Sequence, residues 1–208
     1  MEFMTWLAYV LAATLVIIIP GPTILLVVTH SMRHGKASTL PLVAGVAAGD
    51  FLAMLLSLAG LGVVMAASAT LFSIFKFIGA AYLIYLGISL WRSESLLPDI
   101  EATDSAVKGA GLFRQAFVVT ALNPKGIIFF IAFLPQFVNP QGDRLTQLIV
   151  LGATFLIIAT LNALFYSVFA RRVAGFIKSP QRRRRFNRGG GAALVCAGLV
   201  TATAQRAA

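Results

Sequence analysis

Six long apolar segments run through the sequence and leave few folds open to it. They cover about residues 5–29, 39–64, 71–91, 115–138, 148–170 and 189–204. Most reach the roughly 20 residues that an α-helix needs to cross a hydrocarbon core about 30 Å thick. With 59% hydrophobic and 12% charged residues, the chain is also far more apolar than a soluble domain. We therefore predict an all-α polytopic membrane protein with six transmembrane helices, folded as a single domain over residues 1–208.

The basic residues are distributed unevenly among the connections between these segments. Residues 30–38, 92–114 and 171–188 hold two, three and eight of the 17 Lys and Arg residues. Because Lys and Arg are enriched in cytoplasmic loops, we predict that these three stretches face the cytoplasm. The net charge of +10 is then an orientation signal rather than a sign of nucleic-acid binding. The run from Arg182 to Arg185 is predicted to fix the topology and to contact anionic lipids.

A polar stretch divides the six segments into two sets of three. Half one covers residues 1–91, half two covers residues 115–208, and residues 92–114 form a cytoplasmic linker between them. Since three is an odd number, the second half is inserted upside down relative to the first, as in inverted-repeat transporters. The sixth segment, residues 189–204, is short and rich in glycine, which leaves the side of the C-terminus open.

Each half opens with a helix that proline interrupts. The first contains the sequence Pro20-Gly21-Pro22, and the fourth contains Asn123-Pro124-Lys125 and later Pro135. Proline removes a backbone donor and clashes with the preceding turn, and inverted-repeat transporters bind substrates where broken helices meet near the midplane. A plain kink is the alternative at the first site. We predict helix breaks at Pro20 and Pro135, and substrate contacts from residues beside the breaks: Gly21, Pro22, Asn123 and Pro124.

Three ionisable side chains, Asp50, Lys76 and Lys125, fall near the middle third of their predicted spans at 1.5 Å per residue. A charge in lipid costs about 2.5 to 3.5 kcal/mol, so such residues are candidates for function. Lys125 either binds a substrate carboxylate or extends to the headgroups. Asp50 either pairs with Lys76 to hold two helices together, or binds a substrate amine and carries a coupling proton. All three are therefore candidate substrate-binding residues.

Small and neutral polar residues complete the candidate positions. Gly45 and Gly49 are four residues apart in the second segment, a spacing that lets helices approach closely, so we expect them to pack against another helix. Asn162 lies at depth in the fifth segment, where an amide is either an interhelical hydrogen-bonding group or a ligand.

The residue types needed for catalysis or for a metal site are scarce. Cys196 is the single cysteine, and His30 and His34 fall in a predicted basic loop, so we expect no enzyme activity, no cofactor and no bound metal. A divalent-cation effluxer needs several oxygen or sulfur ligands, and Asp50 is too few. An uncoupled channel of the same architecture stays open as an alternative to a transporter.

Several of these motifs, in this order, resemble the lysine exporter (LysE/RhtB) family of bacterial amino-acid effluxers. The similarity covers nearly the whole chain and rests on four stretches: Pro20-Gly21-Pro22, Gly45 to Asp50, Lys76 to Gly87, and Asn123-Pro124-Lys125 followed by Leu134-Pro135-Gln136-Phe137. The resemblance implies export of an amino acid or derivative, such as threonine, homoserine, lysine or homoserine lactone, by proton antiport. It also implies a bacterial inner-membrane protein and is compatible with a homodimer.

Overall fold

A computed structural model describes residues 1–67, 69–92, 109–177 and 180–203. This part of the chain is helical and contains no strand, which confirms the all-α class. The α-helices in chain order are α1 (Phe3–Ile18), α2 (Pro22–His34), α3 (Thr39–Ala67), α4 (Ala69–Arg92), α5 (Gly109–Ala121), α6 (Pro124–Ile128), α7 (Arg144–Val168), α8 (Ala170–Ile177) and α9 (Pro180–Thr203).

Within the described residues, two helical stretches are long and apolar enough to cross a membrane, Pro22–Gly60 and Arg144–Val168. In the first of these, Gly35 has a φ of 63° and separates α2 from α3, a conformation that glycine adopts without steric cost. A third span is counted if Gly109–Ala121 and Pro124–Phe137, which meet at an angle of 43°, cross as one bent element. The arrangement of six helices in two inverted halves stays a prediction.

Two boundaries differ from the sequence prediction. Helix α5 begins at Gly109, although the sequence predicts a linker that continues to residue 114. The basic stretch 171–188 is predicted as a loop, but its described residues belong to α8 and to the first turns of α9. Arg and Gln are good helix formers, and Pro180 occupies the first position of α9, where proline is tolerated. Positive charge marks the side of a membrane but does not prevent helix formation.

The first helix break separates α1 from α2. Ile19 and Gly21 both have extended backbones, and α2 then begins at Pro22. The second break separates α5 from α6, which begins at Pro124 with Asn123 as its N-cap. Proline fits both starting positions because the first N–H groups of a helix have no intrahelical partner.

The chain after α6 changes helix type twice. A π-helical turn covers Phe129–Phe133, and a 3-10 turn containing Pro135 covers Leu134–Phe137. Phe129 is fully buried and its ring lies 6.0 Å from that of Tyr9 and 5.1 Å from that of Phe155. This aromatic cluster joins α1, the π-helical turn and α7. Because π turns are rare and occur often at functional sites, the space beside Phe129 is a candidate functional site.

Gly45 and Gly49 lie against α5 without room for a side chain. A Cβ atom on Gly45 would lie 2.5 Å from the carbonyl oxygen of Phe113, and one on Gly49 would lie 2.7 Å from the carbonyl oxygen of Phe117. Backbone atoms cannot give way as a flexible side chain can. The two glycines therefore let α3 and α5 approach closely, which holds Asp50 of α3 beside the second helix break.

We predict that Gly49→Leu destabilises the protein strongly while Gly60→Leu does not. Overpacking of a close contact costs about 1 to 3 kcal/mol, whereas a Cβ atom on Gly60, in the same helix, meets no atom within 4 Å. Thermal unfolding in detergent and the yield of monodisperse protein measure the effect. Equal melting temperatures for the two variants would contradict the close α3–α5 contact.

Glycines also join α9 to α4. A Cβ atom on Gly191 would lie 2.5 Å from the carbonyl oxygen of Gly87, and one on Gly87 would lie 2.6 Å from the carbonyl oxygen of Gly191. A Cβ atom on Gly198, two turns further along α9, would lie 2.8 Å from the carbonyl oxygen of Ala80. Gly191 and Gly198 of the sixth apolar segment thus serve close helix packing.

Candidate functional site

The C-terminal end of α1 is capped by side chains from distant parts of the chain. The Nζ atom of Lys125 donates hydrogen bonds to the carbonyl oxygens of Val16 at 3.1 Å and Ile19 at 2.8 Å. From α7, the Nδ2 atom of Asn162 donates to Ile17 at 3.3 Å, and the hydroxyl group of Tyr166 donates to Ile18 at 2.8 Å. These carbonyl groups have no partner within the helix because α1 stops. The ammonium group of Lys125 is also well placed electrostatically, since a helix C-terminus carries partial negative charge.

The N-terminal ends of α2 and α6 meet beside this capped end. The side chain of Asn123 accepts a hydrogen bond from the backbone N–H of Lys125 at 3.1 Å and donates one from Nδ2 to Thr23 Oγ1 at 3.1 Å. Thr120 of α5 donates to the same Thr23 oxygen at 3.3 Å. One asparagine therefore caps α6 and joins it to the first turn of α2.

Asp50 approaches these helix ends from α3. Its side chain is buried, with 9% of its surface exposed, and its Oδ1 atom lies 3.9 Å from the position that a Cβ atom on Gly126 would take. Among the described residues, Lys125 is the charged group that interacts with Asp50 electrostatically, although the two form no close ion pair. The Asp50 carboxylate is therefore a buried acceptor with no hydrogen-bonding partner among the described side chains.

A cavity of about 50 Å³ lies between these groups. Five polar side chains line it: Thr23, Asp50, Asn123, Lys125 and Asn162. The remaining lining residues are apolar or glycine: Val16, Ile17, Ile24, Val46, Gly126, Phe129, Phe155 and Ala159. At about 10 to 15 Å³ for each water-sized probe, this volume holds a few water molecules. The cavity thus combines one carboxylate, two helix N-termini and an apolar wall.

The predicted site residues fall into three groups. Asp50, Asn123 and Lys125 all line the cavity. Gly21 does not line the cavity but lies beside it, since a Cβ atom on Gly21 would be 3.6 Å from the Nζ atom of Lys125. Pro22 and Pro124 also do not line the cavity, and each is the first residue of its helix. Lys76 belongs to α4, but its side chain, and with it the predicted pairing with Asp50, lies outside the described part of the structure.

Thr23 and Tyr166 are polar residues of the site that the sequence prediction omits. Thr23 directly follows the Pro20-Gly21-Pro22 break. A hydroxyl group in the first turn after a helix break is a sequence feature from which its place in the site could be predicted. Tyr166 lies four residues after Asn162 on α7, so the two share one helix face. Their acceptors on α1 could not be inferred, because about 145 residues separate donor from acceptor.

Comparison with known proteins identifies the family. Residues 14–205 match the model of the LysE type translocators. The chain therefore belongs to this family of translocators, which is not a class of enzymes, and the resemblance found in the sequence is confirmed.

Two similar proteins are named for efflux, and a third is named as a membrane protein. The chain is 34% identical over 207 residues to a homoserine/homoserine lactone efflux protein of Salmonella typhimurium, with 100% of both chains covered. It is 30% identical over 152 residues to a leucine efflux protein of Salmonella choleraesuis, covering 73% of this chain and 69% of that one. An uncharacterized membrane protein of Vibrio cholerae is 33% identical over 205 residues, covering 99% of this chain and 100% of that one. No solved structure matches the chain.

Proposed function

We propose that this membrane protein exports an amino acid or amino-acid lactone from the cytoplasm by proton antiport, with the cavity beside Asp50 as its substrate site. One observation carries the proposal: the cavity joins a buried carboxylate to the N-terminal ends of two broken helices. These groups complement the two ends of an amino acid, a cationic amine and an anionic carboxylate. Homologues named for the efflux of homoserine, its lactone and leucine support the same class of substrate.

Asp50 is the proposed ligand of the substrate amine. Its carboxylate is buried and lacks a protein donor among the described side chains, so an incoming ammonium group supplies the missing partner. Homoserine, leucine and homoserine lactone each carry such an amine. In the proposed cycle, Asp50 takes up a proton from the outside after the substrate has left and gives it up on the cytoplasmic side, where the next amine binds.

The substrate carboxylate, or the carbonyl group of a lactone, is proposed to bind at the N-termini of α2 and α6. Thr23 and Ile24 belong to the first turn of α2, and Gly126 belongs to the first turn of α6. Helix N-termini carry unpaired N–H groups and partial positive charge, which favours anionic ligands. Asn123 holds these two helix ends together, and its amide lies at the edge of the same site.

The proposed setting follows from the charge distribution and the helix breaks. Six helices in two inverted halves would bring the breaks at Pro20 and Asn123 together near the midplane of a bacterial inner membrane. The stretches 30–38, 92–114 and 171–188 would then face the cytoplasm. Arg184, Arg185 and Arg188 are exposed on α9 and are suited to anionic headgroups. A homodimer is compatible with this arrangement.

Uptake of labelled homoserine into inverted membrane vesicles tests the proposal, because the cytoplasmic face is then outside. We expect saturable uptake that an acid-inside pH gradient accelerates, since outward proton movement drives substrate inward in this geometry. Vesicles without the protein provide the control. If none of homoserine, homoserine lactone, leucine, threonine and lysine is taken up, the proposal is overturned. Saturable uptake with no response to the gradient would instead identify an uncoupled channel.

A further inference from the structure

We propose that Lys125 is a resident cation that fills the cation-binding end of α1 and thereby restricts the cavity to substrates with a single ammonium group. Neutral amino acids and their lactones then fit the site, whereas dibasic amino acids such as lysine do not. The inference rests on the proposed function and makes its substrate class more specific. It also changes the role of Lys125 from a carboxylate ligand to a positioning and specificity-determining residue.

The first step of the argument is the occupancy of the helix end. Unpaired carbonyl groups at the end of a broken helix are where transporters coordinate cations. Here the carbonyl groups of residues 16–19 all accept hydrogen bonds from Lys125, Asn162 or Tyr166. The protein's own side chains therefore occupy the acceptors that a second substrate ammonium group would need.

The second step is the charge of the cavity. Among its described lining residues, Asp50 is the single acidic side chain and Lys125 is the single basic one. An α-ammonium group pairs with Asp50, but a second ammonium group in the same cavity finds no second carboxylate and is repelled by Lys125. An unpaired charge in a buried site is strongly unfavourable.

The third step is the apolar part of the lining. Ile24, Val46, Phe155 and Ala159 provide aliphatic and aromatic surface, which suits the side chain of a neutral amino acid. Such a wall discriminates weakly between uncharged side chains that differ by one methylene group. It rejects a charged group much more strongly, because the group loses its hydration without gaining a partner. Specificity is thus expected to depend on charge more than on length.

Competition by norleucine and lysine tests the inference on the native protein. The two amino acids have the same unbranched carbon side chain, and lysine adds one terminal ammonium group to it. We expect norleucine to inhibit homoserine uptake at a concentration at least about tenfold lower than lysine does, because the second charge is buried without a partner. Equal inhibition would overturn the inference while saturable homoserine uptake would still stand. If no amino acid is taken up at all, the proposed function itself fails.

Substitutions of Lys125 test whether this residue causes the discrimination. Lys125→Met removes the resident cation, so we expect lysine inhibition to approach that of norleucine, whereas Lys125→Arg keeps a cation and should preserve the difference. Lys36→Met, at an exposed lysine of the 3-10 turn Gly35–Ser38, is the matched control. A folded Lys125→Met protein that rejects lysine as the native protein does would overturn the inference. If that variant does not fold, the comparison of norleucine with lysine on the native protein decides.

Discussion

Asp50→Asn is expected to reduce homoserine uptake by about 10- to 100-fold, because a hydrogen bond to a charged group contributes about 1.5 to 3 kcal/mol. Asparagine has nearly the same shape as aspartate, so the packing of α3 against α5 should survive. The variant loses both the charge that attracts the substrate amine and the group that takes up the coupling proton. Any residual uptake should therefore no longer respond to an acid-inside pH gradient. Initial rates in inverted vesicles, normalised to the amount of folded protein, measure both effects.

Asp143→Asn is the matched control for this substitution. Asp143 is exposed at the N-cap of α7, where its side chain accepts a hydrogen bond from the backbone N–H of Leu145 at 3.1 Å. Asparagine caps helices about as well as aspartate, so this variant should transport normally. If Asp50→Asn transported as fast as the Asp143→Asn control and kept its response to the gradient, Asp50 would have neither proposed role.

Asn123→Asp should raise the KM for homoserine at least tenfold while leaving the fold intact. Aspartate keeps the cap on α6, and the Thr23 hydroxyl group can turn to donate to the new carboxylate. The new negative charge, however, faces the substrate carboxylate at the helix N-termini. Two like charges about 4 Å apart repel by about 4 kcal/mol at an effective dielectric constant of about 20. We expect a smaller effect, of at least tenfold, because the partial positive charge of the helix N-termini offsets part of this repulsion.

The structure offers a close control for this change as well. Asn139 is exposed and its side chain also accepts a backbone hydrogen bond, from Gln141 at 2.9 Å. Asn139→Asp should leave the KM unchanged. If the KM of Asn123→Asp equals that of the Asn139→Asp control, the substrate carboxylate does not bind at the N-termini of α2 and α6. Homoserine lactone, which lacks the free carboxylate, should lose less affinity than homoserine in Asn123→Asp.

Local chemistry in the sequence was sufficient to place several structural features. Apolar segments predict the helical class, and prolines predict interruptions in the first and fourth segments. The first interruption lies at the predicted Pro20, the second begins at Asn123-Pro124, and the predicted Pro135 lies in a 3-10 turn further along. Proline lacks a donor wherever it occurs, so its effect on a helix does not depend on distant residues. The cavity then brings together Asp50, Asn123 and Lys125, three of the residues singled out for their cost in lipid or their position at a break.

The role of each polar residue could not be predicted in the same way, because it depends on partners far along the chain. The sequence predicts that Lys125 either binds a carboxylate or reaches the headgroups, yet in the structure it donates to Val16, 109 residues earlier. For Asn162 the sequence allows either a structural amide or a ligand, and in the structure its side chain both lines the cavity and donates to Ile17. The sequence does not predict the helix that begins at Pro180, because a run of basic residues is typical of a loop between membrane spans.

An experimental structure with homoserine bound tests the central claim most directly. We predict a ligand in the cavity whose amine contacts the Asp50 carboxylate and whose carboxylate lies within hydrogen-bonding distance of the first-turn N–H groups of α2 and α6. Lys125 should still donate to Val16 and Ile19. Homoserine bound elsewhere in the protein, or a Lys125 side chain that leaves α1 to bind the substrate carboxylate, would contradict the account.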